Sequence, residues 1–195
     1  MPKGRSITKL AWRPRRLTDG KPLILGAILA GGQAQRFGSD KAQALWQGER
    51  LIDRVAAALT AQCAEVVVCG REEPGFVCLP DWPEAGLGPL GGLAAALRHA
   101  AAGRFDFVLS AGVDVPDLPH DLAGSLGGAG ATIVESQPVV GLWPVAAGEA
   151  LEAFLADSGR SLYRFADHVA ARRMELAAPL MNVNFPEDLP PLRSP

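Results

Sequence analysis

The side chains best suited to chemistry fall in three places along the sequence. The first is Leu29-Ala30-Gly31-Gly32, where an apolar run stops and a polar loop carrying Arg36 and Lys41 begins. Gly31 and Gly32 have no Cβ, so the chain can turn sharply and its N–H groups can approach a bound anion. Arg36 and Lys41 add the positive charge that a polyphosphate needs. The second is Asp114, directly after the apolar run Phe105 to Val113 and two residues before Pro116. A carboxylate at the C-terminal end of a central parallel strand sits where open α/β sheets bind ligands. The third is Met181-Asn182-Val183-Asn184-Phe185-Pro186-Glu187-Asp188-Leu189. The amides of Asn182 and Asn184 both donate and accept, which suits a polar acceptor or the loop beneath it. Taken singly, each place also reads as ordinary structure: a Gly-Gly turn, an aspartate turn or cap, an asparagine turn.

Elements of the right kind precede and follow these residues. Leu23 to Ala30 reads as a strand buried on both faces. Ala44 to Leu51 is a small extended piece turning at Gln47-Gly48, and Leu51 to Leu59 has helical periodicity. Ala64 to Cys69 is a second strand ending at Gly70, so strand, helix and strand imply a right-handed parallel crossover. A short strand from Phe76 to Leu79 leads to Pro80-Asp81-Trp82-Pro83, and Gly86 to Gly92 opens a helix running through Ala100. Pro89 suits the first helical turn, where its missing N–H would be unpaired anyway. Phe105 to Val113 is the next buried strand, Asp117 to Leu126 a short helix, and Gly124 to Gly130 a flexible connector. Ala131 to Glu135 and Pro138 to Val145 read as extended, Gly148 to Ala156 and Leu162 to Val169 as helices, and Arg172 to Leu176 as an edge strand. The alternation implies a three-layer α/β/α domain with a mostly parallel, Rossmann-like sheet.

Composition narrows the function classes. At 195 residues, 48% hydrophobic and 21% charged, the chain suits one globular domain with a sizeable core. We expect residues 1–21 to be an untethered basic tail and residues 22–195 a single domain. A net charge of −2 argues against nucleic acid as the main partner, so a phosphorylated ligand must be held by local cations. The tail holds Lys3, Arg5, Lys9, Arg13, Arg15 and Arg16, and we expect no signal h-region after it, the run from Leu23 reading as a strand. No stretch approaches the ~20 apolar residues of a membrane helix. Cys63, Cys69 and Cys78 lack metal-site spacing and read as reduced filler, and His99, His120 and His168 are scattered. We expect a cytoplasmic monomer.

The string L-A-G-G-x-x-x-R-F-G-x-D-K after a buried strand is neither a Walker A loop nor a G-x-G-x-x-G fingerprint. It resembles the signature of the nucleotidyltransferases that activate sugars and cofactors, and among them the molybdenum cofactor guanylyltransferases. The later Gly88-Pro89-Leu90-Gly91-Gly92, Asp114-Val115-Pro116 and N-x-N-x-P-E-D-L elements follow in the order of that family, so the resemblance spans about residues 23 to 190. It implies transfer of GMP from GTP to Mo-molybdopterin, with pyrophosphate released and product handed to a molybdoenzyme or its chaperone. Leu29, Ala30, Gly31, Gly32, Lys41, Asp81 and Asp114 match nucleotide contacts, with Asp81 toward ribose hydroxyls or guanine N–H groups. Arg36 and Lys41 would stabilise departing pyrophosphate, and Asp114 would hold Mg²⁺. Cys69 stands where many relatives carry asparagine, so any contact there falls to backbone or to a neighbour. A cytidylyltransferase on the same pterin and a non-catalytic nucleotide-binding module are the rival readings.

Overall fold

The computed structural model describes residues 21–31, 40–184 and 188. Residues 1–20 of the expected tail, together with Gly32, Arg36, Phe185 to Glu187 and Leu189, lie outside the described residues. The first strand, β1 (Ile24–Leu29), is buried at five of its six positions. It is followed by a 3-10 turn (Lys41–Gln43), a hairpin of β2 (Leu45–Trp46) and β3 (Glu49–Arg50), and helix α1 (Leu51–Thr60). Next come β4 (Glu65–Cys69), β5 (Val77–Leu79), α2 (Pro89–Gly103), β6 (Phe107–Gly112) and α3 (Leu122–Leu126). The chain continues through β7 (Thr132–Val134), β8 (Gln137–Pro144), α4 (Ala147–Ala156), α5 (Leu162–His168) and β9 (Arg172–Met174).

The main sheet has the order β5-β4-β1-β6-β8-β7-β9. β1 pairs in parallel with β4 on one side and β6 on the other, and β8 alone runs against its neighbours. Side chains alternate along β1. Leu25, Ala27 and Leu29 face one core, shared with α2, α4 and α5, while Ile28 faces a second, shared with α1 and α3. The expected three layers are therefore present. Helix α1 docks tightly because Gly26 lacks a side chain: a Cβ there would lie 3.2 Å from Leu59 Cβ and 3.3 Å from Cys63 Sγ.

Boundaries differ from expectation at several elements, two of them for a plain physical reason. The helix expected from Asp117 begins only at Leu122, because Pro116 and Pro119 push Val115 and Leu118 out of the helical region. The edge strand ends at Met174 rather than Leu176, where pairing to β7 runs out.

The chain leaves β1 for β4 on one side, then returns through α2, on the opposite face, to β6 on the other. Strand order thus reverses at β1, which opens a crevice at the carboxyl ends of β1 and β6. There Gly31 packs directly on Gly70, whose φ is +84°. A Cβ on Gly31 would sit 3.1 Å from Gly70 Cα, and one on Gly70 would run into the Gly31 backbone and lie 2.9 Å from Asp81 Oδ1. Gly70→Ala is therefore expected to cost about 2–4 kcal/mol, from left-handed strain plus the clash. In thermal melts this reads as a loss of roughly 5–15 °C. Gly124→Ala, in an exposed helical position with open space around it, is the control and should leave the melting temperature level or slightly raised.

Candidate active site

At the reversal point the last amide of β1 is tied down: Ala30 N–H donates to the Cys69 carbonyl at 3.0 Å. Gly31 follows and places bare backbone at the rim of a cleft of about 410 Å³, a volume within the usual range for small-ligand sites. Leu29, Ala30, Asp40, Lys41 and Arg71 line one side of it. Gly112, Val113 and Asp114 line the centre, with Pro89 at the start of α2, Gln137 to Val139 and Leu162 completing the wall. Lys41 Nζ lies 3.8 Å from Asp114 Oδ2, with side chains 15% and 30% exposed. The cation and the carboxylate come from loops after neighbouring strands and face each other across the cleft floor.

Asp81 approaches the same bend from the β5–α2 connection. A Cβ on Gly31 would meet Asp81 Oδ1 at 3.3 Å, and one on Gly91 would meet the Asp81 carboxyl carbon at 3.1 Å. Among the described residues Oδ1 is buried and accepts no hydrogen bond. Burial pushes the Asp81 carboxyl above its ordinary value of 3.8, and a hydrogen bond from the Gly86 amide offsets this only in part. The four surrounding glycines, 31, 70, 91 and 92, let the carboxylate sit between strand ends and helix start without a clash.

The asparagine element returns to the centre of the site. Val183 N–H donates to the Asp114 carbonyl at 2.9 Å, and Val183 is fully buried with Trp46 and Leu51. Asn182 Oδ1 is buried without a partner among the described residues, whereas Asn184 is exposed and its N–H donates to Asp188 Oδ2 at 2.7 Å. Cys69 points away: its thiol is buried in the core against α2, and burial raises its pKa to about 12. Only its carbonyl serves the site.

Leu29, Ala30, Lys41 and Asp114 thus line one cleft, while Gly31 and Asp81 meet at the adjoining bend outside its lining, and Asn182 and Asn184 lie on the segment that braces Asp114. Gly32 and Arg36 fall outside the described residues. Arg71 and Gln137 were not anticipated. An arginine one residue beyond a strand-ending glycine at the same sheet edge was the available signal for Arg71. No cluster of three or more His, Cys, Asp or Glu side chains able to hold a metal occurs among the described residues. A single carboxylate such as Asp114 fits a hard divalent cation that takes its remaining ligands from phosphate oxygens and water, as Mg²⁺ does.

Comparison with known proteins agrees with this geometry. Residues 26–173 match the family model of the MobA-like NTP transferase domain. The chain is 37% identical over 182 residues to a molybdenum cofactor guanylyltransferase of Acidiphilium cryptum, covering 85% of this chain and 92% of the relative. Its fold is similar to that of molybdopterin-guanine dinucleotide biosynthesis protein A from Archaeoglobus fulgidus, at TM-score 0.65 and 19% identity over 86% of this chain and 95% of that one. It is equally similar to 2-C-methyl-D-erythritol 4-phosphate cytidylyltransferase from Thermus thermophilus, at TM-score 0.65 and 20% identity over 87% and 96%. With the family model matched over most of its length and a relative this similar across nearly the whole domain, the chain belongs to the family of MobA-like NTP transferases.

Proposed function

We propose that the protein transfers GMP from GTP to Mo-molybdopterin, forming Mo-molybdopterin guanine dinucleotide and pyrophosphate. The observation that carries this reading is the pairing of Lys41 with Asp114 at 3.8 Å beside the glycine bend, in a chain 37% identical to a molybdenum cofactor guanylyltransferase. A phosphate oxygen of the pterin attacks the α-phosphorus of GTP. A new P–O bond forms while the bond to the bridging oxygen of the β-phosphate breaks, and pyrophosphate carries that electron pair away.

The chain's own part is positioning and charge neutralisation. The Gly31 and Gly32 amides hold the triphosphate, the Ala30 N–H being already given to the Cys69 carbonyl, and Arg36 and Lys41 stabilise charge on the leaving pyrophosphate. Asp114 holds a divalent cation, Mg²⁺ on this reading, which supplies charge neutralisation at the phosphates when bound. Asp81, with an unpartnered oxygen aimed at the bend, accepts from guanine N–H or ribose hydroxyl groups. Asn182 and Asn184 serve the acceptor side. On the same reading residues 22–195 act as one monomeric domain in the cytoplasm, with the basic segment 1–21 outside it, and pass product to a molybdoenzyme or its chaperone.

A screen of the four nucleoside triphosphates with molybdopterin and Mg²⁺ tests the donor: pyrophosphate should appear with GTP. Release with CTP instead would replace the guanylyl reading by the cytidylyl one, and GTP binding without release would favour the binding module. Asp114→Ala should lower the rate by ~10²–10³ while the circular dichroism spectrum is kept; full activity would remove Asp114 from the metal role.

Asp81 adds a pH dependence of known sign. Its folded pKa is raised, so its contribution to stability is complete below the ordinary carboxylate value and is lost as pH rises through the folded value. Melting temperatures of the ligand-free protein should therefore carry a downward component across that acid window. Asp81→Asn should flatten it and weaken GTP binding; an unchanged profile together with unchanged affinity would remove Asp81 from the site.

A further inference from the structure

The loop between β4 and β5 carries a chain of charges that the transfer reaction, as described, does not use. At its root is Glu73, whose side chain is 1% exposed. Its carboxylate accepts from Arg50 Nη1 at 2.7 Å and from Gln43 Nε2 at 2.9 Å, and lies 3.3 Å from Arg71 Nη2. A carboxylate so enclosed is strongly disfavoured alone, and here two guanidinium groups and an amide compensate it. Arg71 then reaches forward to Asp40 with both terminal nitrogens, Nη1 to Oδ1 at 2.6 Å and Nη2 to Oδ2 at 2.8 Å. This is the two-bond fork that fixes direction as well as distance.

Asp40 is the residue before Lys41 and caps the 3-10 turn, accepting from Ala42 N–H at 3.2 Å. Gln43, tied to Glu73 and also accepting from Arg50 Nη1 at 2.9 Å, closes the same turn. Both ends of the turn that carries Lys41 are therefore bound to one buried carboxylate, at one end through Arg71. The Arg71 guanidinium holds the Asp40 carboxyl below its ordinary range.

We propose that Arg71 is a positioning residue: braced by Glu73, it grips Asp40 and so fixes Lys41 at the cleft. The inference rests on the role given to Lys41 above. An arginine acting through a lysine should affect turnover more than ground-state binding, and its effect should vanish when the lysine is gone. A direct phosphate contact by Arg71 would instead multiply with the loss of Lys41.

The test measures GTP-dependent pyrophosphate release by wild type, Arg71→Ala, Arg71→Lys, Lys41→Ala and the Lys41→Ala/Arg71→Ala pair. Arg71→Ala is expected to lower kcat about 10- to 100-fold, with KM for GTP moved less than about threefold. Arg71→Lys should rescue little, because an ammonium cannot make the fork. In the Lys41→Ala background, Arg71→Ala should add less than about a twofold loss; two independent losses that multiply overturn the proposal. A second readout needs no activity: trypsin cleavage of the folded protein after Lys41, followed by mass spectrometry. Arg71→Ala, or Asp40→Asn if that variant does not fold, should speed this cut about tenfold by freeing the turn, and an unchanged rate overturns the brace. If wild type releases pyrophosphate with none of the four nucleoside triphosphates, the functional reading fails while the trypsin experiment still decides the brace.

Discussion

Two peptide backbones touch where β1 and β4 end, and the rest of the site depends on that contact. Gly31 and Gly70 face each other so closely that a Cβ on Gly70 would run into the Gly31 backbone and one on Gly31 would crowd Gly70 Cα at 3.1 Å. The close approach leaves the Gly31 backbone bare at the carboxyl edge of the sheet, where a polyanion can lie against peptide dipoles. It also opens the space that the Asp81 carboxylate occupies. The same constraint reappears in α2, whose first turn contains Gly91 and Gly92. A Cβ at Gly92 would press on Cys69 Cβ at 3.1 Å and Leu29 Cδ2 at 3.2 Å. The helix start can thus seat against the strand ends only because its contacting face is bare.

Charge at the cleft is arranged on this scaffold in two layers. Lys41 and Asp114 lie at the floor, partly screened from water, so each offsets the desolvation of the other in the ligand-free protein. On the proposed reading, a nucleotide with its divalent ion would bring opposite charge for both at once and let the pair open without stranding either group. Beneath them, the Val183 N–H holds the Asp114 carbonyl and the Glu73–Arg71 chain holds the turn before Lys41. The two partners are secured from different parts of the sequence, so their spacing is set by the fold and not by one flexible loop.

Much of this was legible in the residue order because it is local. A buried apolar run broken by glycine, Pro89 opening an apolar helix, and Asp114 closing a strand each state their geometry within a few positions. The layer architecture followed from the alternation of such runs, and the sheet bears it out. What stayed hidden is non-local. Nothing local marks Arg50, Arg71 and Glu73 as partners, and only the β4–β5 loop folding under the 3-10 turn makes Glu73 a buried hub. The antiparallel insertion of β8 between β6 and β7 was equally out of reach, since register and neighbour choice leave no periodic trace. The late start of α3 was written in Pro119 but outweighed by the apolar spacing after it.

Glu73 and Asp81 show how the fold distributes polar satisfaction. Both are acids held against the core side of the cleft. Glu73 is met by two arginines and a glutamine, whereas Asp81 keeps a buried oxygen without a donor among the described residues and a carboxyl raised by desolvation. Native proteins rarely leave such a group unpaired, because the cost is not recovered elsewhere in the folded state. A carboxylate that only filled space could be replaced by an apolar side chain at a gain. On the proposed reading, Asp81 beside four glycines is instead an acceptor for donors from a bound nucleotide, and any ligand that supplies them is bound with part of that cost returned. Rigidity is then concentrated around the turn that carries Lys41, and polar frustration is retained beside the glycine bend.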